Sequence, residues 1–153
     1  MTPDFRPGDL HGFDDPARQV MDFAREEGRL FEQDYIGTEH ILAGVLRVND
    51  PIASGVLRSF GIEIQTVRAV LQSIIASGLM PQSPPHDLLT RRAKRVVDTA
   101  RKQAAGKPVR PAHLLLALLE EGGGVAAQIL TAVDVDLYDL RARLLERLPS
   151  GEE

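Results

Sequence analysis

One amphipathic pattern occurs twice in this chain, and the repetition constrains the fold more than any other feature of the sequence. The tripeptide His40-Ile41-Leu42 returns as His113-Leu114-Leu115 at an offset of 73 residues. Upstream, the pair Ala24-Arg25 returns as Ala100-Arg101 at an offset of 76, so the second copy is three residues shorter before its histidine. A duplication of this length predicts two similar helical bundles that pack as one unit.

Composition excludes several classes of protein. At 153 residues the chain is long enough to bury a sizeable core. The net charge of −4 gives no electrostatic basis for nucleic-acid binding, which uses a basic surface. The absence of cysteine excludes disulfides and thiolate metal sites and fits a cytoplasmic location. No apolar run approaches the ~20 residues of a membrane span, and the acidic, proline-broken start is unlike a signal peptide.

Helical periodicity runs through almost the whole chain, and no strand pattern is visible. We therefore predict an all-α fold of eight helices, arranged as two pseudo-twofold four-helix repeats. The predicted helices span about 14–31, 52–60, 63–76, 90–105, 111–121, 124–132 and 136–148, and one further helix starts at Thr38 and carries Ile41, Leu42, Val45 and Leu46. The predicted order is an irregular arm (1–12), repeat one (13–77), a proline-rich linker (78–88), repeat two (89–148) and a polar tail (149–153). Asp14 or Asp15 is expected to cap the first helix, and Thr38 the second.

The segment Tyr35-Ile36-Gly37-Thr38-Glu39-His40-Ile41-Leu42 carries a resemblance to a known family. With Phe13 and Ala17-Arg18 before it, and with the unit repeated, it resembles the Clp amino-terminal domain. This is the double-repeat, eight-helix domain of Clp/Hsp100 unfoldases of the ClpA and ClpC type. The resemblance covers about residues 10–148 and is nearest to the ClpC type of Gram-positive and actinobacterial species.

The motifs of an ATPase are missing from the chain. Each ATPase ring of such an unfoldase needs a phosphate-binding loop of the form G-x-x-x-x-G-K-[ST]. Gly106-Lys107 is the only Gly-Lys pair, and it is followed by Pro108 and lacks the upstream glycine. The chain also has no Gly-x-Ser-x-Gly motif and no His/carboxylate cluster with metal-ligand spacing. We therefore expect no enzymatic activity, no cofactor and no metal. The irregular arm, the polar end and the divergent second copy favour a stand-alone actinobacterial protein over an excised domain.

The resemblance implies a docking role. Such domains receive substrates and adaptors for the unfoldase ring, so the expected partners are Clp unfoldase or protease components, adaptors and protein substrates, and the chain is expected to be a monomer. In ClpC-type proteins the Glu of the Gly-Thr-Glu-His motif helps to bind phosphorylated arginine, with the phosphate held by helix-start amides. Thr38 and Glu39 match these positions. In the second copy the motif reads Arg110-Pro111-Ala112-His113, so at most one such pocket is expected.

A second implication concerns cyclic-peptide antibiotics, which bind a groove on actinobacterial ClpC N-domains. The matching positions here are Leu10, Phe13, Leu89 and Lys94. Leucines replace the aromatic residues that are usual at two of these places, whereas Lys94 is retained. The alternative function is therefore a decoy that sequesters such peptides.

Simpler structural roles compete with each of these interpretations. Thr38 and Glu39 at a helix start would serve as a cap and a dipole-favoured acid in any helical protein. His40 and His113 are expected to be hydrogen-bonded packing residues rather than ligands. The basic run Arg91-Arg92-Ala93-Lys94-Arg95 opens a helix, which is an unfavourable place for cations. It is either a solvated face or a surface for an acidic partner.

Overall fold

The computed structural model describes residues 10–78, 80 and 88–148, and within them the chain forms eight α-helices. The predicted all-α fold is confirmed, and each of the eight predicted helices corresponds to an observed one. The arm, the linker and the tail lie wholly or partly outside the described residues. The helices are α1 (Asp15–Leu30), α2 (Thr38–Arg47), α3 (Ala53–Ser59), α4 (Ile64–Ala76), α5 (Arg91–Ala104), α6 (Pro111–Glu121), α7 (Val125–Ala132) and α8 (Leu137–Arg147).

Two short backbone bridges display the pseudo-twofold relation between the repeats. Phe13 pairs with Val109, and Ile36 pairs with Leu89, each in a parallel bridge. In the first bridge the Asp14 N–H donates to the Val109 carbonyl at 2.9 Å; in the second the Thr90 N–H donates to the Ile36 carbonyl at 2.9 Å. The segment before the first helix of each repeat therefore pairs with the segment before the second helix of the other repeat.

Helices α2 and α6 form the centre of the molecule. Each contacts helices of both repeats: α2 packs on α5, α6 and α7, and α6 packs on α1 and α3. Every residue of α2 from Thr38 to Leu46 is buried. In α6 only His113 and the last two glutamates interrupt the buried residues. An apolar helix that is buried on nearly all sides is expected at the centre of a bundle.

Helices α1 and α2 of repeat one approach each other closely at Gly44. A β-carbon on Gly44 of α2 would lie 3.1 Å from the Val20 carbonyl carbon of α1 and 3.2 Å from the Val20 Cγ1. Ala117 occupies the equivalent place in α6 and is buried against α5. Helices α1 and α2 therefore approach each other through a glycine, whereas the second repeat accommodates a methyl group at the same position.

Candidate functional site

The start of α2 is organised around His40, which is fully buried. Its Nδ1 accepts a hydrogen bond from the Gly37 N–H at 3.0 Å, while its Nε2 lies 2.6 Å from the Gln33 Oε1. The imidazole thus returns to the residue before the helix, the role that Glu or Gln plays in a capping box. Burial, followed by the charge of Arg25, lowers the pKa of His40 to about 4. His40 is a neutral packing residue, as the sequence suggested.

Glu39 is buried beside this histidine, with 2% of its surface exposed. Its carboxyl group folds over Gly37, where a β-carbon would lie 2.9 Å from the Glu39 Cδ. Burial raises the pKa of Glu39 to about 7, although a hydrogen bond to its own backbone acts in the opposite direction. Burial, then the Glu39 charge, raises the pKa of Tyr35 to about 12. The chain therefore holds an ionisable carboxyl group in an environment that disfavours its charge.

Thr38 caps a helix of the other repeat. Its hydroxyl oxygen accepts a hydrogen bond from the Ala126 N–H at 3.1 Å, in the first turn of α7. Gly37, not Thr38, is the N-cap residue of α2, so the prediction that Thr38 caps its own helix was wrong. The N-cap of α7 is Gly124, which has no side chain to offer, and Thr38 satisfies the α7 amide in its place.

The second repeat keeps the histidine of this helix start but replaces the glutamate. The His113 Nδ1 accepts a hydrogen bond from the Arg110 N–H at 2.9 Å, as its counterpart does in repeat one. Ala112 replaces the glutamate and is buried to 2% exposure.

Helix α3 of repeat one is the counterpart of α7 and is capped from within its own repeat. At its start, the Asp50 Oδ2 accepts a hydrogen bond from the Ala53 N–H at 2.8 Å.

The four positions of the predicted peptide groove differ in exposure. Leu10 and Phe13 are buried at 6% and 5%, Leu89 is half-buried and Lys94 is exposed. Leu10 and Phe13 belong to the turn that leads into the Val109 bridge, where the Phe13 N–H donates to the Leu10 carbonyl at 3.1 Å. Leu89 belongs to the other bridge, one turn before Lys94 on α5. Phe13 and Leu89 are therefore held by two different backbone bridges.

A groove that was not predicted from the sequence lies at the turn between α6 and α7. It has a volume of about 400 Å³ and is lined by residues 122–124 together with Ala127, Gln128, Thr131 and Ala132. Beside it, Glu121 pairs with Arg92 at 2.5 Å and with Arg95 at 3.6 Å. The run of three glycines was visible in the sequence as a helix break, but nothing local indicated that Arg92 would lie against it.

Comparison with known proteins now identifies the family. The family model for the Clp repeat (R) N-terminal domain matches residues 12–108 and again residues 103–153. The chain belongs to this Clp N-terminal domain family. The chaperone protein ClpB of Oceanobacillus iheyensis is 35% identical over 143 residues, which are 92% of this chain and 17% of the relative. The Bacillus subtilis negative regulator of genetic competence ClpC/MecB is 34% identical over 143 residues, with the same two coverages.

Solved structures agree with this Clp N-domain fold. The N-terminal domain of ClpD from Arabidopsis thaliana superposes with a TM-score of 0.71 at 22% identity, covering 90% of this chain and 95% of that one. The Hsp104 N-terminal domain from Candida albicans gives a TM-score of 0.67 at 20% identity, covering 88% and 89%. The chain spans about one sixth of the curated relatives that it matches, namely 17% of their length. The matches fall on a non-catalytic N-terminal domain, and no ATPase domain is evident in the sequence.

Among residues 10–78, 80 and 88–148, no group of three or more His, Cys, Asp or Glu side chains is arranged to hold a metal ion. No single helix in the described part of the chain is long and apolar enough to cross a membrane. Helices α6 and α7 reach that length and apolarity only as a pair, with a bend of 85° between them.

Proposed function

We propose that this chain is a docking module of the Clp chaperone and protease system, which receives protein substrates or adaptors. The observation that carries the proposal is the buried carboxyl group of Glu39. Repeat two completes the same helix start with Ala112, so the fold itself has no need of an acid at this position. Burying an ionisable carboxyl group disfavours its charged form, and burial is the larger of the two effects on the pKa of Glu39. A ligand that the carboxyl group binds would explain why an acid occupies this buried position.

The finer proposal is that Glu39 recognises phosphorylated arginine. A carboxylate pairs with a guanidinium group through charge-assisted hydrogen bonds, and the amides at the start of α2 would hold the phosphate. Because the Glu39 side chain is only 3% exposed in the free protein, it has to turn outward and ionise when the ligand binds. Binding should therefore strengthen as the pH rises through about 7, the pKa of this carboxyl group.

The docking proposal is tested by quantitative pull-down from host lysate with wild type and Glu39→Gln. We expect enrichment of a Clp unfoldase, an adaptor or arginine-phosphorylated proteins, reduced by the substitution. Since glutamine keeps the size of the side chain, the loss would report on the charge. If the same proteins are captured equally by both forms, Glu39 is a structural residue. If no Clp component or marked protein is captured, the docking proposal fails.

Calorimetry tests the phosphoarginine proposal, with free phosphoarginine as the ligand and arginine as the control. We expect one site per chain in wild type and none in Glu39→Gln. A gain-of-function variant sharpens the test: Arg110→Gly, Pro111→Thr and Ala112→Glu together rebuild the motif in repeat two. Arg110→Gly is included because the Glu39 carboxyl group lies where a β-carbon on Gly37 would be. A second site in this variant would support the proposal, and unchanged binding in Glu39→Gln would contradict it.

The alternative proposal is a decoy for cyclic-peptide antibiotics, centred on Leu89 and Lys94. These two residues remain accessible at the start of α5, which favours a contact there. Leu10 and Phe13 contribute little surface because both are buried. Tight binding of a ClpC-directed cyclic peptide that is insensitive to Glu39→Gln but is lost in Lys94→Ala would support this alternative. A flat calorimetric titration with that ligand class would remove it.

A further inference from the structure

A strongly basic surface opens helix α5. Arg91, Arg92, Lys94 and Arg95 are all exposed, and we call them the basic patch. Arg92 and Arg95 have 49% and 63% of their side chains exposed and share Glu121 as a partner, at 2.5 Å and 3.6 Å. Arg91, Arg92 and Arg95 outnumber Glu121, the carboxylate that Arg92 and Arg95 share, in a chain whose net charge is −4.

The fold does not require this concentration of charge. Helix α5 has no acidic residue in its first turn, although the positive end of a helix dipole favours acids and disfavours cations. The equivalent helix in repeat one, α1, follows the ordinary pattern, with an aspartate cap and Asp15 in its first turn. Pro16 occupies the position that corresponds to Arg92. The basic patch is thus a feature of one repeat only, and it opposes the local electrostatics of its helix.

The groove between α6 and α7 lies directly against the basic patch. Its floor and walls are residues 122–124 with Ala127, Gln128 and Thr131, and we call it the glycine groove. A β-carbon on Gly123 would lie 2.6 Å from the Arg92 Nη1, and one on Gly124 would lie 3.3 Å from the Arg92 Cδ. In repeat one the corresponding residues are Asp50 and Pro51, whereas in repeat two the side chains of Arg92 and Thr38 lie against the two glycines.

We propose that the basic patch and the glycine groove together dock an acidic peptide segment of a protein partner. The segment would place its carboxylates on Arg92 and Arg95 and a small apolar residue in the groove beside Ala127. Charge complementarity selects an acidic occupant, and the small, neutral lining of the groove fits an extended backbone with short side chains. A protein partner is favoured over nucleic acid because the net charge of the whole chain is negative. This inference rests on the docking function proposed above and adds a second contact surface to it.

Fluorescence anisotropy on the full chain tests the inference. The probe is a fluorescein-labelled peptide of Glu, Asp and Ala residues, and the control probe carries Lys and Arg in place of the acids. The first variant is Arg92→Gln with Arg95→Gln. Its matched control is Arg143→Gln with Arg147→Gln on α8, which removes the same charge from exposed positions elsewhere. A third variant, Thr131→Phe, fills the groove without changing the charge.

We expect the acidic probe to bind wild type and to bind the Arg92/Arg95 variant about tenfold more weakly, because two exposed ion pairs are lost. Thr131→Phe should also weaken binding, whereas the α8 control should stay within about twofold of wild type. Rising salt should weaken binding, since exposed charges are screened. Circular dichroism establishes that each variant is folded.

Several results would overturn the inference. These are no binding of the acidic probe to wild type, equal binding of the acidic and basic probes, and an equal loss in the two double variants. Tighter binding of a single-stranded DNA oligonucleotide at Arg92 and Arg95 would assign the patch to nucleic acid instead. Glu39→Gln should leave binding of the probe unchanged, so this test and the Glu39 test fail independently.

Discussion

A buried charge network in repeat one gives the most demanding test of the structure. Glu27 of α1 is 1% exposed, and its two carboxylate oxygens bind Arg68 of α4 at 3.0 and 2.7 Å. Arg47 of α2 donates to the same carboxylate at 3.1 Å. In repeat two a similar network holds the equivalent helices together, but the acid lies on the second helix of the repeat instead of the first. There Glu120 of α6 is the acid, and it accepts from Gln103 at 2.8 Å and from Arg141 at 3.1 Å.

Because the acid has changed helix between the repeats, we expect Glu27→Gln and Arg47→Glu to compensate each other partly when they are combined. Glu27→Gln alone leaves Arg47 and Arg68 facing an amide, and Arg47→Glu alone places a second carboxylate beside Glu27. Breaking a buried pair costs about 3–5 kcal/mol. The arginine side chains are 25% and 38% exposed, so water compensates part of the loss and we expect about 1–3 kcal/mol for each single variant. The double variant recreates the Gln-Glu-Arg arrangement of repeat two and should be more stable than the sum of the two losses by about 1–2 kcal/mol.

The rescue should be incomplete, for a reason that is visible in the structure. Arg47 also lies 4.3 Å from the centre of the Phe23 ring and pairs with Glu26 at 2.9 Å, and both contacts disappear in Arg47→Glu. The measurement is urea unfolding of the four proteins, followed by far-ultraviolet circular dichroism. A double variant whose free energy of unfolding falls by the full sum of the single losses would refute the equivalence of the two networks.

Three further predictions follow from single contacts. Gly44→Ala should destabilise the fold by about 1–3 kcal/mol by overpacking the α1–α2 crossing, whereas Ala117→Gly at the equivalent place should cost only about 1 kcal/mol. Thr38→Val should lower the free energy of unfolding by about 1–3 kcal/mol, because the buried Ala126 N–H loses its acceptor while the shape is kept. Glu39→Gln should change the pH dependence of stability, measured by urea unfolding. Between pH 4.5 and 6.5 the raised pKa of Glu39 makes stability fall as the pH rises, and the lowered pKa of His40 makes it rise. In Glu39→Gln the free energy of unfolding should therefore rise with pH through this window. An unchanged pH profile would contradict the burial of Glu39.

The helices and their order were predictable because they depend on periodicity, and the repeat supplied a second copy of nearly every signal. The bounds of α6, for example, follow from Pro111 at its start and Gly122 just beyond its end, and the structure confirms both. The bridges at Phe13 and Leu89 were not predicted, since two-residue pairings leave no periodic trace.

The contacts of the candidate site were less predictable than its location. Sequence spacing places Thr38 at a helix start but says nothing about a helix that begins 87 residues later, so its bond to Ala126 was missed. The burial of Glu39 was also missed, because an acid in the first helical turn is usually assumed to face water. A comparison of the two copies position by position would have exposed the exchange of Arg47 for Glu120.

Divergence between the repeats separates structural residues from candidate binding residues. Where a stabilising group is lost in one copy, a partner usually replaces it: Thr38 supplies the cap that Gly124 lacks. The same holds for the buried network: Gln103 and Glu120 of repeat two stand at the positions of Glu27 and Arg47 in repeat one, and they bond to each other. Such exchanges keep the free energy of folding and need no ligand to explain them.

Two differences are not explained by such an exchange between the repeats, although Arg92 and Arg95 share Glu121 as a partner. Glu39 is buried at a cost that Ala112 avoids, and the basic patch opposes the dipole of α5 where α1 carries an acid. The two features are close together in the structure. Gly124 lies between Arg92 of the basic patch and Thr38, the residue before Glu39. A partner that engages both would therefore bridge the two repeats across the start of α7. The two single-site tests should then show cooperative losses when Glu39→Gln is combined with the Arg92/Arg95 variant against an intact partner protein.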